Sequence, residues 1–244
     1  MTLVVLHGFT GDAATMQDLA GRIDPDALVP DLAGHGTGPH PDDPRHYTVD
    51  AMVDDVLALA DGPLDLVGYS MGGRVAFSAA CRAPERVRTL SLIGASAGLA
   101  DPAERMTRAA ADDELASLIE RDLATFVDRW MANPLFATQA RLGEAFSAAA
   151  RRQRLGNDPG ALATSLREAS TGRMPPLHDQ LHRCTMPVGL IVGADDPKFC
   201  AIADELVGRL PDARTHVIEH AGHAAHLEQP DAVAAAIVDT IGRA

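Results

Sequence analysis

Leu64-Asp65-Leu66-Val67-Gly68-Tyr69-Ser70-Met71-Gly72-Gly73-Arg74 decides how this chain is read. The apolar run Leu64 to Val67 predicts a buried strand, and Gly73 to Ala80 predicts a helix. Between them lies a G-x-S-x-G string, Gly68 to Gly72. A serine on a sharp strand-to-helix turn is forced out of the sheet, with its hydroxyl exposed and its backbone strained. Glycines on both sides let the chain make that turn without a Cβ clash. The pentapeptide alone arises often by chance. Its strand-turn-helix setting is what makes Ser70 a candidate reactive serine.

Other short apolar runs extend the pattern. Leu3 to Leu6, Ala27 to Pro30, Thr89 to Ile93, Val188 to Val192 and Thr215 to Ile218 read as strands, with helical stretches between them. Such alternation predicts an α/β fold, a mainly parallel sheet with helices on both faces. Ligands in these sheets bind beyond the carboxyl ends of the strands. The chemically interesting residues do follow the strands: His7-Gly8-Phe9, Asp31 to Gly36, Ser70, Asp195-Asp196 and His223. The pattern breaks from 98 to 175, where no strand signal appears. Amphipathic stretches at Glu114 to Met131, Gln139 to Leu155 and Ala161 to Ala169 predict a helical lid over the sheet's active edge, inserted into a core of 1–97 and 176–244.

A serine hydroxyl needs an imidazole to take its proton and an acid to orient that imidazole. The order Ser, then Asp or Glu, then His fits this arrangement of strands. Asp196, three residues past Gly193, is the expected acid, with Asp195 as the alternative. His223, after the last strand, is the expected imidazole, with His220 and His226 nearby. The H-x-x-H-x-x-H spacing lacks a second ligand cluster, so no metal and no cofactor are expected. Charge developing on a substrate oxygen needs preorganised donors. The main-chain N–H groups of Met71 and Phe9 are the candidates for an oxyanion hole.

Composition narrows the partners. The chain has 244 residues, 46% of them hydrophobic, enough for one large α/β domain with an insertion. A net charge of −13 argues against nucleic acid and anionic membrane surfaces. No apolar stretch approaches the roughly 20 residues that span a bilayer. Met1 to Leu6 lacks a basic flank and reads as a strand and not a signal peptide. Three cysteines without metal-type spacing fit a reduced, cytoplasmic protein. Lys198 is the only lysine, so anion binding would fall to guanidinium forks, which suit carboxylates. Oligomeric state is not readable.

These residues resemble the α/β-hydrolase family along the whole chain. Within it they are similar to the pyruvate-eliminating synthases of menaquinone biosynthesis. The strings that carry the likeness are His7 to Asp12, Asp31 to Gly36, Val67 to Arg74, Gly98-Leu99 with Arg105 and Arg108, Trp130 with Pro134-Leu135-Phe136, Arg154 before Asn157, Asp196 to Phe199 and Ala221 to His226. The resemblance implies a triad of Ser70, Asp196 and His223. It implies that Tyr69, Arg74, Arg108, Trp130 and Arg154 hold a small polycarboxylate, and that serine and histidine remove a carbon-bound proton so that pyruvate leaves. On helical spacing alone, Arg105 and Arg108 can share a face, as can Arg151 and Arg154. A single lid arginine reads equally as a solvated charge, and Trp130 as core. Arg74, one turn into the helix after Ser70, is costly to bury unless something pairs with it. Lys198 and Phe199 have no role that the sequence supplies. A carboxylesterase or thioesterase using Ser70 as nucleophile is the alternative activity, and a non-catalytic ligand-binding protein is the third reading.

Overall fold

The computed structural model describes residues 1–244. Five strands, β1 (Thr2–Leu6), β2 (Leu64–Tyr69), β3 (Val87–Ile93), β4 (Val188–Gly193) and β5 (Ala213–Ile218), form one sheet in that spatial order. Every neighbouring pair is parallel. Strands buried on both faces need no polar alternation, which is why they read as unbroken apolar runs. The expected strand at Ala27 to Pro30 is reduced to one bridge, Leu28 against Val4. Pro30 has no N–H with which to continue the ladder.

Successive side chains point to opposite faces, and each face builds its own core. Val4, Leu6, Leu66, Leu90, Leu92 and Leu190 pack with α2 (Val49–Leu57), α3 (Met71–Arg82) and α8 (Pro197–Val207). Leu3, Val5, Val67, Ile93 and Ile191 pack with α1 (Gln17–Ile23) and α10 (Pro230–Ile241). The element α9 (Ala225–Glu228) is a single turn leading into α10.

Residues 98–175 contain no strand. Four helices lie there: α4 (Pro102–Arg121), α5 (Leu123–Met131), α6 (Gly143–Leu155) and α7 (Pro159–Glu168). The expected helix from 114 to 131 is broken at Asp122, whose carboxylate accepts from the Thr125 N–H at 3.0 Å and starts α5 afresh. The stretch before Gly143 is 3₁₀ and not α. Ala116, Ile119, Phe126, Val127, Leu162, Ala163 and Leu166 give these helices a small core of their own. Polar bonds tie them to the sheet. Gln153 Nε2 donates to Thr10 O at 3.1 Å and to Asp12 Oδ2 at 2.9 Å, and Arg141 pairs with Asp195 at 2.6 Å.

Candidate active site

β2 ends at Tyr69 and α3 begins at Met71, so Ser70 is the whole turn. Its φ of 50° and ψ of −104° are sparsely populated for a residue with a Cβ and cost about 1–3 kcal/mol. Two main-chain bonds hold it there: Ser70 N–H donates to Ile93 O at 2.9 Å, and Arg74 N–H donates to Ser70 O at 3.0 Å. The helix lies so close to β1 that a Cβ on Gly72 would sit 2.5 Å from His7 O. This contact explains the second glycine of the motif.

His223 Nε2 lies 3.2 Å from Ser70 Oγ, and His223 Nδ1 lies 3.0 Å from Asp196 Oδ2. Both His223 and Asp196 are buried. Asp195 points elsewhere, into its exposed pair with Arg141. Asp196 thus sits beside the imidazole, and Asp195 does not. Asp196 also caps α8, accepting from Phe199 N–H at 3.2 Å. His220 is exposed at a φ of 59°, and His226 is buried with its ring 4.2 Å from that of Tyr69. Met71 is the first residue of α3, so its N–H has no acceptor within the helix.

A cavity of about 690 Å³ opens above Ser70. Phe9, Tyr69, Met71, Arg74, Arg108, Trp130 and His223 all line it, as does Lys198, which has no acidic partner within ion-pair distance. Trp130 sits among Phe9, Phe126 and Phe136, with ring centroids 5.4 to 5.7 Å away. Its indole N–H is buried without a hydrogen-bond partner. The cationic residues differ sharply in state. Arg108 is already held in a fork by buried Asp112, at 2.9 and 2.8 Å. Arg74 has no carboxylate partner; its Nη1 donates to Ala169 O at 2.7 Å and meets Met174 Sδ at 3.5 Å. Burial, then repulsion from Arg108, lowers the Arg74 pKa to about 10. Such a cation is under-satisfied until an anion arrives.

Arg154 departs from expectation. It does not line the cavity; its Nη1 turns back to Ala150 O at 3.0 Å, within its own helix, and its Nε is buried without a partner. Arg105 lies outside the cavity, and Arg151 pairs with exposed Asp128. Neither expected same-face arginine pair therefore enters the site together. The Asp31 to Gly36 string ties together the loops around the site: Leu32 N–H donates to His7 Nε2 at 3.0 Å and Gly36 N–H to Asn157 Oδ1 at 3.0 Å. Asp31 accepts from the N–H groups of Ala13 and Thr37, at 2.6 and 2.8 Å.

Sequence reasoning missed Gly94 and Asp112, and it named Phe136 beside Trp130 without giving it a role. Gly94 has a φ of +54°, and a Cβ there would lie 2.9 Å from His223 Cε1, so only glycine lets the imidazole settle. The one available signal was a glycine directly after a strand, the same signal as at Gly193.

Buried histidines set an acid limit on the fold. Burial lowers His35 and His226 to about 3, and also lowers His7. Unfolded, each binds a proton near 6.5. The unfolded state therefore holds more protons, and stability falls as pH drops through about 6.5 towards 3. Between about pH 7.5 and pH 5, the loss is expected to be about 2 kcal/mol for each of His35 and His226. Urea unfolding at the two pH values checks this; an unchanged midpoint would contradict it.

Comparison with known proteins identifies the family. The model of the "Alpha/beta hydrolase family" matches residues 3–236. A "Putative 2-succinyl-6-hydroxy-2,4-cyclohexadiene-1-carboxylate synthase" of Bacillus subtilis (strain 168) is 39% identical over 234 residues, covering 93% of this chain and 85% of the relative. The synthase of that name from Enterobacter sp. (strain 638) is 35% identical over 248 residues, covering 98% and 91%. Among solved structures, MenH from S. aureus superposes with a TM-score of 0.93 at 29% identity, covering 99% of this chain and 93% of that one. No helix of this chain is long and apolar enough to cross a membrane. The chain belongs to the α/β-hydrolase family, and within it to the group of enzymes similar to the 2-succinyl-6-hydroxy-2,4-cyclohexadiene-1-carboxylate synthases.

Proposed function

We propose that this protein eliminates pyruvate from 2-succinyl-5-enolpyruvyl-6-hydroxy-3-cyclohexene-1-carboxylate. The product is 2-succinyl-6-hydroxy-2,4-cyclohexadiene-1-carboxylate. The observation that carries the reading is Arg74, a half-buried guanidinium without a carboxylate partner, lining the same cavity as Ser70. A polycarboxylate supplies the missing partner and is thereby oriented.

In this mechanism His223 draws the proton from Ser70 Oγ, and the oxygen removes a carbon-bound proton from the substrate. Asp196 holds the imidazole in the required tautomer and stabilises it when charged. The N–H groups of Phe9 and Met71 receive the negative charge that develops on a substrate oxygen. The electron pair moves through the double bond and breaks the C–O bond to the enolpyruvyl group, which leaves as the enolate of pyruvate; the proton held by His223 returns to it, giving pyruvate and restoring the neutral pair. Arg108 binds a second carboxylate with its outer nitrogens while Asp112 keeps its Nε. Trp130 offers its free indole N–H. Tyr69 and Arg154 back the wall beneath them: Arg154 lies near enough to Tyr69 to favour its phenolate, though burial acts more strongly and raises the Tyr69 pKa. Residues 98–175 act as a helical cap on a core of 1–97 and 176–244, excluding water from the developing charge. No cofactor takes part.

Carboxylester or thioester hydrolysis needs the same triad and the same donors, but it gives no purpose to a half-buried Arg74 that lacks a carboxylate partner. Incubation of the purified protein with the enolpyruvyl substrate, with pyruvate followed by lactate dehydrogenase, tests the choice. One pyruvate per substrate is expected, and none above background ends the reading.

A further inference from the structure

Two hydrogen bonds alone do not fix an imidazole. With His223 bonded at Nδ1 to Asp196 and at Nε2 to Ser70, the ring can still rock about its Cβ–Cγ bond within the give of those two bonds. Something must press on its faces. Gly94 leaves room at one edge, its would-be Cβ lying 2.9 Å from Cε1. Three aromatic rings approach: Phe199 at 4.5 Å between centroids, Tyr69 at 5.3 Å and Phe136 at 6.0 Å. The nearest of them, Phe199, is tilted 41° to the imidazole, is half-buried and lines the cavity. Its position is itself fixed. It stands in the first turn of α8, where its N–H donates to Asp196 Oδ1.

We propose that Phe199 is a positioning residue for the proton transfer, its ring stopping His223 from rocking and shielding the Nδ1–H···Asp196 bond from water. One turn of helix thereby supplies both parts of the support: Asp196 sets the imidazole's direction, and Phe199 sets its plane. Tyr69 and Phe136 stand farther off and cannot replace a ring at van der Waals distance. The kinetic consequence rests on the elimination proposed above; the shielding does not.

Phe199→Ala, Phe199→Leu and Phe199→Tyr distinguish a ring from mere apolar volume. With the enolpyruvyl substrate, Phe199→Ala is expected to lose kcat on the scale of ~10²-fold that a small misplacement of a reacting group costs, with KM little changed. Phe199→Tyr should keep nearly full kcat, and Phe199→Leu should fall between. Proton NMR of the unliganded protein gives the second readout. The far-downfield Nδ1–H resonance, assigned by its absence in His223→Gln, should persist in the wild type and Phe199→Tyr and vanish by solvent exchange in Phe199→Ala. Should the alanine variant fail to fold, the leucine and tyrosine variants carry the comparison. A leucine variant with wild-type kcat and an intact resonance would overturn the proposal and leave Phe199 as ordinary packing. If the wild type releases no pyruvate, the elimination reading fails, and the resonance still decides the role of Phe199.

Discussion

Ser70→Ala is expected to lower kcat for pyruvate release by ~10³- to 10⁴-fold, near the upper range for losing a general base, while KM changes little. Removing the hydroxyl deletes the atom that accepts the carbon-bound proton and leaves the cavity's cations in place. Ground-state binding therefore survives and the transition state suffers. His223→Ala should cost about as much. The double variant should be scarcely worse than either single one, because the two groups act as a unit across one 3.2 Å bond. Stability should change little in Ser70→Ala, since the turn keeps its main-chain bonds and loses one side-chain hydrogen bond. Steady-state kinetics of the three variants, with calorimetry on each, provide the check. Losses that multiply in the double variant would mean that the two residues work independently.

Replacing Arg74 by Met should separate activity from stability in opposite directions. In the free protein this guanidinium is half-buried near Arg108 and holds only a carbonyl and a thioether. Its removal relieves an under-satisfied charge, so the thermal midpoint should hold or rise. In the complex the same change strands a substrate carboxylate in a low-dielectric cavity. Losing one partner of such a pair costs about 2–5 kcal/mol, or ~30- to 4000-fold in kcat/KM at about 1.4 kcal/mol per tenfold. Arg74→Lys should recover part of this, since an ammonium supplies charge without the bidentate fork. Hydrolysis of a neutral aryl ester, if the protein performs any, should be nearly indifferent to the change. A collapse in stability would mean instead that Arg74 is a structural cation whose partner is Ala169 O.

The elbow was legible in the sequence because its demands are local. A strand, a glycine-flanked serine and a helix are contiguous, and Gly193 and Gly222 mark the turns that carry Asp196 and His223. The strands were legible as unbroken apolar runs, but because both faces are buried the runs do not say which side chain serves which face. Ala27 to Pro30 failed because its composition suits a strand while Pro30 ends the ladder after one bridge. The cationic residues were harder to read. Helical spacing says which residues share a face but not which way that face points. Arg105 turns away from the cavity, Arg108 is engaged by Asp112, and Arg154 bonds back to Ala150. Only Arg74, tied to the elbow by a four-residue offset, could be placed from the motif itself. Asp112 reaches the site by tertiary contact across distant elements, and no local pattern announces that; Gly94 offered only a glycine after a strand, and nothing local sets Phe136 beside His223.

The central claim is that Ser70 works as a base toward carbon and not as a nucleophile toward a carbonyl. Intact-mass spectrometry of protein quenched during steady-state turnover of the enolpyruvyl substrate tests it most directly. The account predicts an unmodified chain mass at every time point while pyruvate accumulates. A substrate-derived adduct on Ser70 that forms and decays at the turnover rate would contradict it.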